Sequence, residues 1–345
     1  MTTVAIIGAH TALARALEEC LEEREIEVEL SRQTTPEHLA EGLDPIDPDP
    51  WERADLVILA LGGPVAEALA ERARSRGRPL LDLGGAVAQS ALEWVWPILD
   101  AEAGRRSVGA KTPAIAPGLA APLVAVLRAL AELSPKIAQI ATYESAALAD
   151  RAGMDGLSEE VRAIFSLQEV ESPVFGERLA FNALPLAGEA LAASLLPEDR
   201  GAGAREACEN GAAPRPSADH REAAHEDRLE AAVKAGLGGG GPELRVTRVV
   251  IPAFSAEGAA VDLVLDGEVD HARVEALLRG ARGVRYLPGD PPGSGRALER
   301  DDTLVSWVRT SPGRLALWIA ADRLRAGSAT QAALFIEQWL ATRLA

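Results

Sequence analysis

The chain has 345 residues, with 35 lysines and arginines against 52 aspartates and glutamates, and a formal net charge of −17. This acidic balance excludes general nucleic-acid binding, which needs a positive protein surface. The chain has only two cysteines, which excludes a disulfide framework or a cysteine-based zinc site. No apolar run reaches the roughly 18 residues of a membrane span, and no signal peptide is evident. We therefore expect a cytoplasmic protein of about two domains that binds neither nucleic acid nor membrane.

The first residues predict a strand, a turn, a helix and a second strand. Residues 3–8 form a β-branched apolar run typical of a buried parallel strand, and residues 11–23 have helical spacing with one apolar face. Residues 26–30 are the second strand. Such a unit opens a Rossmann-type dinucleotide-binding fold. The pattern continues with strands at 55–61 and 79–83 and a helix at 65–75.

The pattern changes after residue 118, and the rest of the chain predicts a mixed α+β domain. A long apolar helix over 119–133 is followed by strands at 137–142, 245–252, 260–265 and 303–309 and a helix at 271–280. A closing helix over 322–344 is predicted to return to the first domain. The fold class is thus α/β, with a Rossmann-type domain of residues 1–118 and 322–345 and a second domain of residues 119–321. Residues 197–224, rich in Gly, Ala and Pro, predict a mobile insertion.

The turn between the first strand and helix is an incomplete dinucleotide turn, since of the three glycines used there only Gly8 is present. The helix N-terminus would still attract a phosphate. Ser31 and Arg32 would suit a 2′-phosphate, so NADP is the better-fitting nucleotide. The alternative is a domain that no longer binds nucleotide well, with His10 merely exposed. The candidate cofactor-binding residues are Gly8, His10, Thr11, Ala12, Leu13, Ser31, Arg32, Gly62 and Gly63.

Segments spread along almost the whole chain resemble the aspartate-semialdehyde dehydrogenase family. Residues 179–186 (LAFNALPL) resemble its AFN-x-x-P segment, and residues 321–329 (ADRLRAGSA) resemble its DNLRKGAA helix start. The glycine turn, residues 83–86 and residues 249–252 (VVIP) match further landmarks in order. The resemblance implies a dimerisation domain after the Rossmann domain, a homodimer and NADP as cofactor, and it adds Arg323 to the cofactor candidates.

The family's chemistry, reductive dephosphorylation of an acyl phosphate, implies a cysteine nucleophile, an acid–base histidine, an orienting glutamine and a substrate arginine. By this resemblance Gly118 takes the place of the cysteine and Glu144 that of the glutamine. Glu257 takes that of the histidine, and Val250 that of the arginine. A thiolate mechanism of the family's type is then excluded, and we expect no catalytic residue at these positions.

The changes also alter the charge of the predicted pocket. Two carboxylates, Glu144 and Glu257, would repel an acyl phosphate. Arg248 lies two positions from Val250 on one strand face and is the more plausible group to neutralise them, with Arg151 as the alternative. The family's SGAG segment becomes residues 147–150 (ALAD), without its glycines.

Three hypotheses for the function follow. The first is a catalytically silent family member with a binding or structural role, as a homodimer or in a heteromer with an active relative. The second is a divergent NADP-dependent oxidoreductase or an NADP(H)-binding sensor. The third is new acid–base chemistry by Glu144 and Glu257. Cys208 is interpreted as an incidental thiol rather than a displaced nucleophile, and the five scattered histidines predict no metal site.

Overall fold

A computed structural model describes residues 2–116, 118–170, 172, 174–186, 218–289 and 291–344 of the protein. Within these ranges the strands form two seven-stranded sheets, packed with helices. The predicted α/β class, a Rossmann-type domain joined to a mixed α+β domain, is confirmed. The bounds of the two domains stay a prediction.

The first sheet is parallel throughout, with the strand order β3-β2-β1-β4-β5-β7-β6. Helices α1 (Ala12–Glu23) and α2 (Pro64–Arg76) follow β1 and β4, as in a Rossmann-type half. The strands are β1 (Thr3–Ile7), β2 (Glu29–Thr34), β3 (Asp44–Pro45), β4 (Leu56–Leu59), β5 (Leu80–Asp82), β6 (Leu92–Trp94) and β7 (Thr112–Ala114).

The second sheet is mixed, with the order β12-β13-β14-β11-β8-β10-β9, and only β8 with β10 and β12 with β13 run parallel. Its strands are β8 (Ile137–Glu144), β9 (Leu184–Pro185), β10 (Glu243–Val250), β11 (Ala256–Val264), β12 (Val284–Leu287), β13 (Thr303–Ser311) and β14 (Arg314–Asp322). The helices of this part are α3 (Ala120–Ala129), α4 (Asp150–Phe165), α5 (Ala218–Leu237) and α6 (His271–Gly280).

The last helix, α7 (Thr330–Leu344), returns to the first sheet. Phe335 and Ile336 of α7 are fully buried in one core with Leu17 of α1 and Ile58 of β4. A separate core under α3 joins Leu123 to the inner face of the second sheet. These two cores lie against different sheets, and the end of the chain closes the core at the first sheet.

Two sequence-based element bounds are wrong. The second strand covers Glu29–Thr34 rather than 26–30, because the parallel register places Glu29 opposite Thr3, where β1 begins. The closing helix does not start at 322. Residues up to Asp322 pair with β11 as β14, and a π-helical turn, Arg325–Ala329, precedes α7.

The predicted insertion can be compared with the structure only in part. Residues 197–217, including Cys208, lie outside the described residues, while residues 218–224 form the first turns of α5. None of the helices in the described ranges is long and apolar enough to cross a bilayer.

Candidate functional site

Four charged side chains meet where strands of the second sheet end beside α3. Glu144 is the last residue of β8, and Arg248 lies on the neighbouring strand β10, whose Val250 is in register with Glu144. Glu257 lies on β11 and Arg323 directly follows β14. The structure thus brings Glu144 and Glu257 together, as the sequence predicts, and joins each to an arginine. We call Glu144, Arg248, Glu257 and Arg323 the ion-pair cluster.

The first pair of the cluster is a two-pronged contact. Arg248 donates from Nε to Glu144 Oε1 at 2.5 Å and from Nη2 to Oε2 at 2.6 Å, with both side chains buried. Thr142 Oγ1 donates to the same Oε1 at 3.0 Å. Burial alone would raise the pKa of Glu144, but the charges of Arg248 and Arg323 hold that pKa below its ordinary value. Glu144 is therefore an ionised partner of Arg248.

The second pair is less completely satisfied. Arg323 Nη1 donates to Glu257 Oε1 at 2.8 Å, and the backbone N and Oγ of Ser145 donate to the same oxygen at 3.1 and 3.2 Å. Glu257 Oε2 is buried and has no hydrogen-bond partner among the described residues. Burial raises the pKa of Glu257; Arg323 opposes the rise and the charge of Glu144 adds to it. Arg323 Nη1 lies 3.7 Å from Glu144 Oε2 and links the two pairs.

Gly118, at the start of the segment leading into α3, lies against this cluster. Its φ is +63°, and a Cβ built there would be 2.5 Å from Arg323 Nη1 and 3.1 Å from Glu257 Oε2. The π-helical turn packs directly against Gly118, since a Cβ on Gly327 would be 2.3 Å from the Gly118 carbonyl oxygen. The space above position 118 is therefore filled by the guanidinium of Arg323. Val250 points elsewhere, into an apolar core with Leu179.

The nucleotide turn keeps its glycine-dependent geometry. Gly8 has a φ of +92°, and a Cβ there would be 2.8 Å from the Leu61 side chain. Leu61 precedes Gly62 and Gly63, and Gly63 (φ +87°) begins α2 as its N-cap. Thr11 is the N-cap of α1, and its hydroxyl accepts from Ala14 N at 3.1 Å.

A carboxylate from α4 occupies the N-terminus of α1. Ala12 N donates to Asp150 Oδ1 at 3.0 Å and to Oδ2 at 3.4 Å. Burial raises the pKa of Asp150, while hydrogen bonds from the backbone amides of Arg151, Ala12 and Leu13 oppose this rise. Its backbone has φ +49° and ψ −141°, close to a region that is essentially glycine-only and costs another residue about 1–3 kcal/mol. This contact was not predicted from the sequence; the only signal was an aspartate aligned with the last glycine of SGAG.

The other predicted cofactor residues have partners within the chain. His10 Nδ1 lies 2.6 Å from Thr34 Oγ1, and its ring stacks on His38 with centroids 4.0 Å apart. Burial and the charge of His38 lower the pKa of His10 to about 4. Arg32 Nε donates to Glu18 at 2.9 Å, and Ser31 Oγ accepts from Gln33. The structure places Leu13 on α1 and Arg323 in the ion-pair cluster.

Other candidate chemistry is remote or lacking in the part of the chain that the structure describes. Cys20 is buried in the α1 core, and burial raises the pKa of its thiol to about 11. No group of three or more His, Cys, Asp or Glu side chains within these ranges could hold a metal ion.

The amino-acid sequence is similar to those of known proteins. No family model matches the chain. A USG-1 protein homolog of Pseudomonas aeruginosa is 27% identical over 97% of this chain and 96% of its own length. An aspartate-semialdehyde dehydrogenase of Rickettsia bellii is 26% identical over 66% of this chain and 61% of its own. These relatives confirm the resemblance to the aspartate-semialdehyde dehydrogenase family that the sequence predicts.

Solved structures share the family fold over nearly the whole chain. Aspartate semialdehyde dehydrogenase II from Vibrio cholerae matches with a TM-score of 0.80 and 21% identity, covering 98% of both chains. A probable aspartate-semialdehyde dehydrogenase from Pseudomonas aeruginosa matches with a TM-score of 0.77 and 24% identity, also covering 98% of both. At these identities the likeness shows the fold alone.

Proposed function

We propose that this protein is a catalytically silent member of the aspartate-semialdehyde dehydrogenase family, a cytoplasmic homodimer with a binding or structural role. The observation that carries the proposal is the position of Arg323. Its guanidinium fills the space above Gly118, the position that the family resemblance assigns to the nucleophilic cysteine. Covalent acyl transfer needs a nucleophilic atom there, and the chain offers an arginine paired with Glu257 instead.

The residues that follow Gly118 in the chain supply no substitute nucleophile. The flanking residues Leu119, Ala120 and Ala121 have aliphatic side chains. Cys20 lies in a different core, and its pKa, raised to about 11 by burial, keeps it a thiol at neutral pH. The chain's own chemistry thus supports the absence of an acyl-enzyme step.

The electrostatics of the ion-pair cluster support the same proposal. An acyl phosphate or an aspartyl carboxylate needs positive groups that are free to bind it. Here Arg248 is held by both oxygens of Glu144, and Arg323 is held by Glu257. Two carboxylates balance two guanidinium groups within the protein, so an anionic substrate would have to displace one of them.

The opposed pKa shifts of Glu144 and Glu257 favour a second candidate, acid–base chemistry by this pair. Access argues against it. Glu257 is 0% exposed and Glu144 is 3% exposed, and a general acid or base must reach its substrate within hydrogen-bond distance. We therefore interpret the pair as structural.

A turnover assay tests the proposal. Purified protein is mixed with aspartate semialdehyde, phosphate and NADP, and NADPH formation is followed, with an active family member as the positive control. We expect no turnover. Activity that is lost in R323A or E257Q would refute the proposal, because a contaminating enzyme would not respond to those substitutions.

One possible binding role is to form a heteromer with an active relative, and co-expression tests it. The two chains are expressed together with different tags and purified in sequence. Mixed dimers would support this role, and strict sorting into homodimers would count against it.

A further inference from the structure

The N-terminus of α1 is the place where a Rossmann-type fold receives the diphosphate of a dinucleotide, because the first backbone N–H groups of the helix are unpaired and point outward. In this protein those groups already have acceptors. Ala12 N donates to the Asp150 carboxylate, and Ala14 N donates to the Thr11 hydroxyl. An incoming phosphate oxygen would meet both an occupied donor and a negative charge.

Asp150 is held at this position by the segment that precedes it. Ser145 N donates to Glu257 of the ion-pair cluster, and Ala146 N and Ala147 N donate at 2.8 Å to the carbonyl oxygens of Ala253 and Phe254. The segment is thus tied at three points to β11 and the turn before it. The Asp150 carboxylate is therefore a fixed part of the fold and not the end of a free loop.

The contact between Asp150 and α1 is present even though the backbone conformation of Asp150 costs conformational free energy. Its φ of +49° and ψ of −141° are those of a glycine position, yet the residue is an aspartate whose carboxylate turns toward α1. Once the strained conformation is present, the favourable placement of a negative charge at a helix N-terminus compensates for it.

We infer that Asp150 is a built-in anionic occupant of the α1 N-terminus, which keeps the diphosphate of NADP and similar dinucleotides out of the Rossmann crevice. The inference stands apart from the catalytic proposal, because a protein can bind a nucleotide without turning it over. It also predicts that the barrier is local: removing one carboxylate opens the crevice, where Gly8 keeps the tight turn.

The experiment compares four purified full-length proteins by calorimetric titration with NADPH: wild type, D150G, D150N and D155N. D150G removes the carboxylate and relieves the backbone, while D150N keeps the size and one oxygen but removes the charge. Asp155 is an exposed carboxylate on the same helix, so D155N is the matched control. Circular dichroism and thermal unfolding show whether each variant is folded.

We expect no saturable binding of NADPH to wild type or D155N up to about 1 mM. D150G should bind at least about tenfold more tightly than wild type, and D150N should fall between them. Wild-type binding that equals D150G binding, or no gain in either folded Asp150 variant, would overturn the inference. Turnover in the wild type would refute the catalytic proposal, whereas the ratio of the NADPH affinities of wild type and D150G decides the inference about Asp150.

Discussion

Arg323 and Gly118 occupy one space. The Arg323 guanidinium lies where a side chain on residue 118 would have to go, 2.5 Å from the position of a Cβ. Glycine at 118 and arginine at 323 are therefore coupled. A side chain at 118 must displace the guanidinium, and displacing it leaves Glu257 buried without a charged partner at hydrogen-bond distance.

This coupling predicts the outcome of a double-mutant cycle. G118A should lower the free energy of unfolding by about 2–4 kcal/mol, because the left-handed backbone costs about 1 kcal/mol and the displaced Arg323 accounts for the rest. In an R323A background the same change should cost only about 1 kcal/mol. Urea unfolding of wild type, both single variants and the double variant measures the coupling energy. Strict additivity would contradict the shared space.

The two glutamates should respond differently to neutralisation. E144Q removes an ionised partner from Arg248 and should cost about 3 kcal/mol, near the lower end for breaking a buried pair. E257Q should cost less than E144Q, since burial already disfavours the Glu257 charge and raises its pKa. Chemical unfolding at neutral pH measures both.

The control for this comparison is D262N, which breaks an exposed contact between Asp262 and Arg314. Exposed pairs contribute about 0–1 kcal/mol, so D262N should be close to neutral. If E257Q destabilises as much as E144Q, the two pairs are equally dependent on charge and the assigned asymmetry is wrong.

The lowered pKa of His10 predicts that the stability of the protein depends on pH. Its pKa is lowered from an ordinary value near 6.5 to about 4, so the folded protein favours the neutral ring. The stabilisation is fully present above pH 6.5 and is lost as the pH falls toward 4. H10N should remove this loss, which we expect to be about 1 kcal/mol after allowing for solvent screening.

Thermal unfolding of wild type, H10N and H271N between about pH 7 and pH 4.5 measures the effect. His271 is an exposed residue at the start of α6, so H271N controls for the loss of a histidine. A stability difference between wild type and H10N that does not change with pH would contradict the lowered pKa.

The sequence predicted the fold class and the convergence of Glu144, Glu257 and Arg248, because strand patterns and family landmarks depend on local runs of residues. It did not predict β14, because an apolar run alone does not separate a strand from a helix, and it began the closing helix at 322 rather than at Thr330. Only its ladder with β11 makes residues 314–322 a strand.

Two contacts of the site were beyond sequence reasoning for the same physical reason. Arg323 was expected at the cofactor, and Asp150 was noted only as the end of the segment that replaces the family's SGAG, since each acts on a partner far along the chain. Asp150 meets Ala12 across 138 residues, and Arg323 meets Glu257 across 66. Such pairs depend on tertiary packing, which residue type and spacing do not encode.

A single-turnover experiment tests whether the protein is catalytically silent. The protein, at a concentration comparable to that of NADP, is mixed with aspartate semialdehyde and phosphate, and NADPH is counted per chain. We expect no NADPH above a blank without protein, because no nucleophile lies at Gly118 and Arg323 fills its place. About one equivalent of NADPH per chain, absent from the R323A and E257Q proteins, would contradict it.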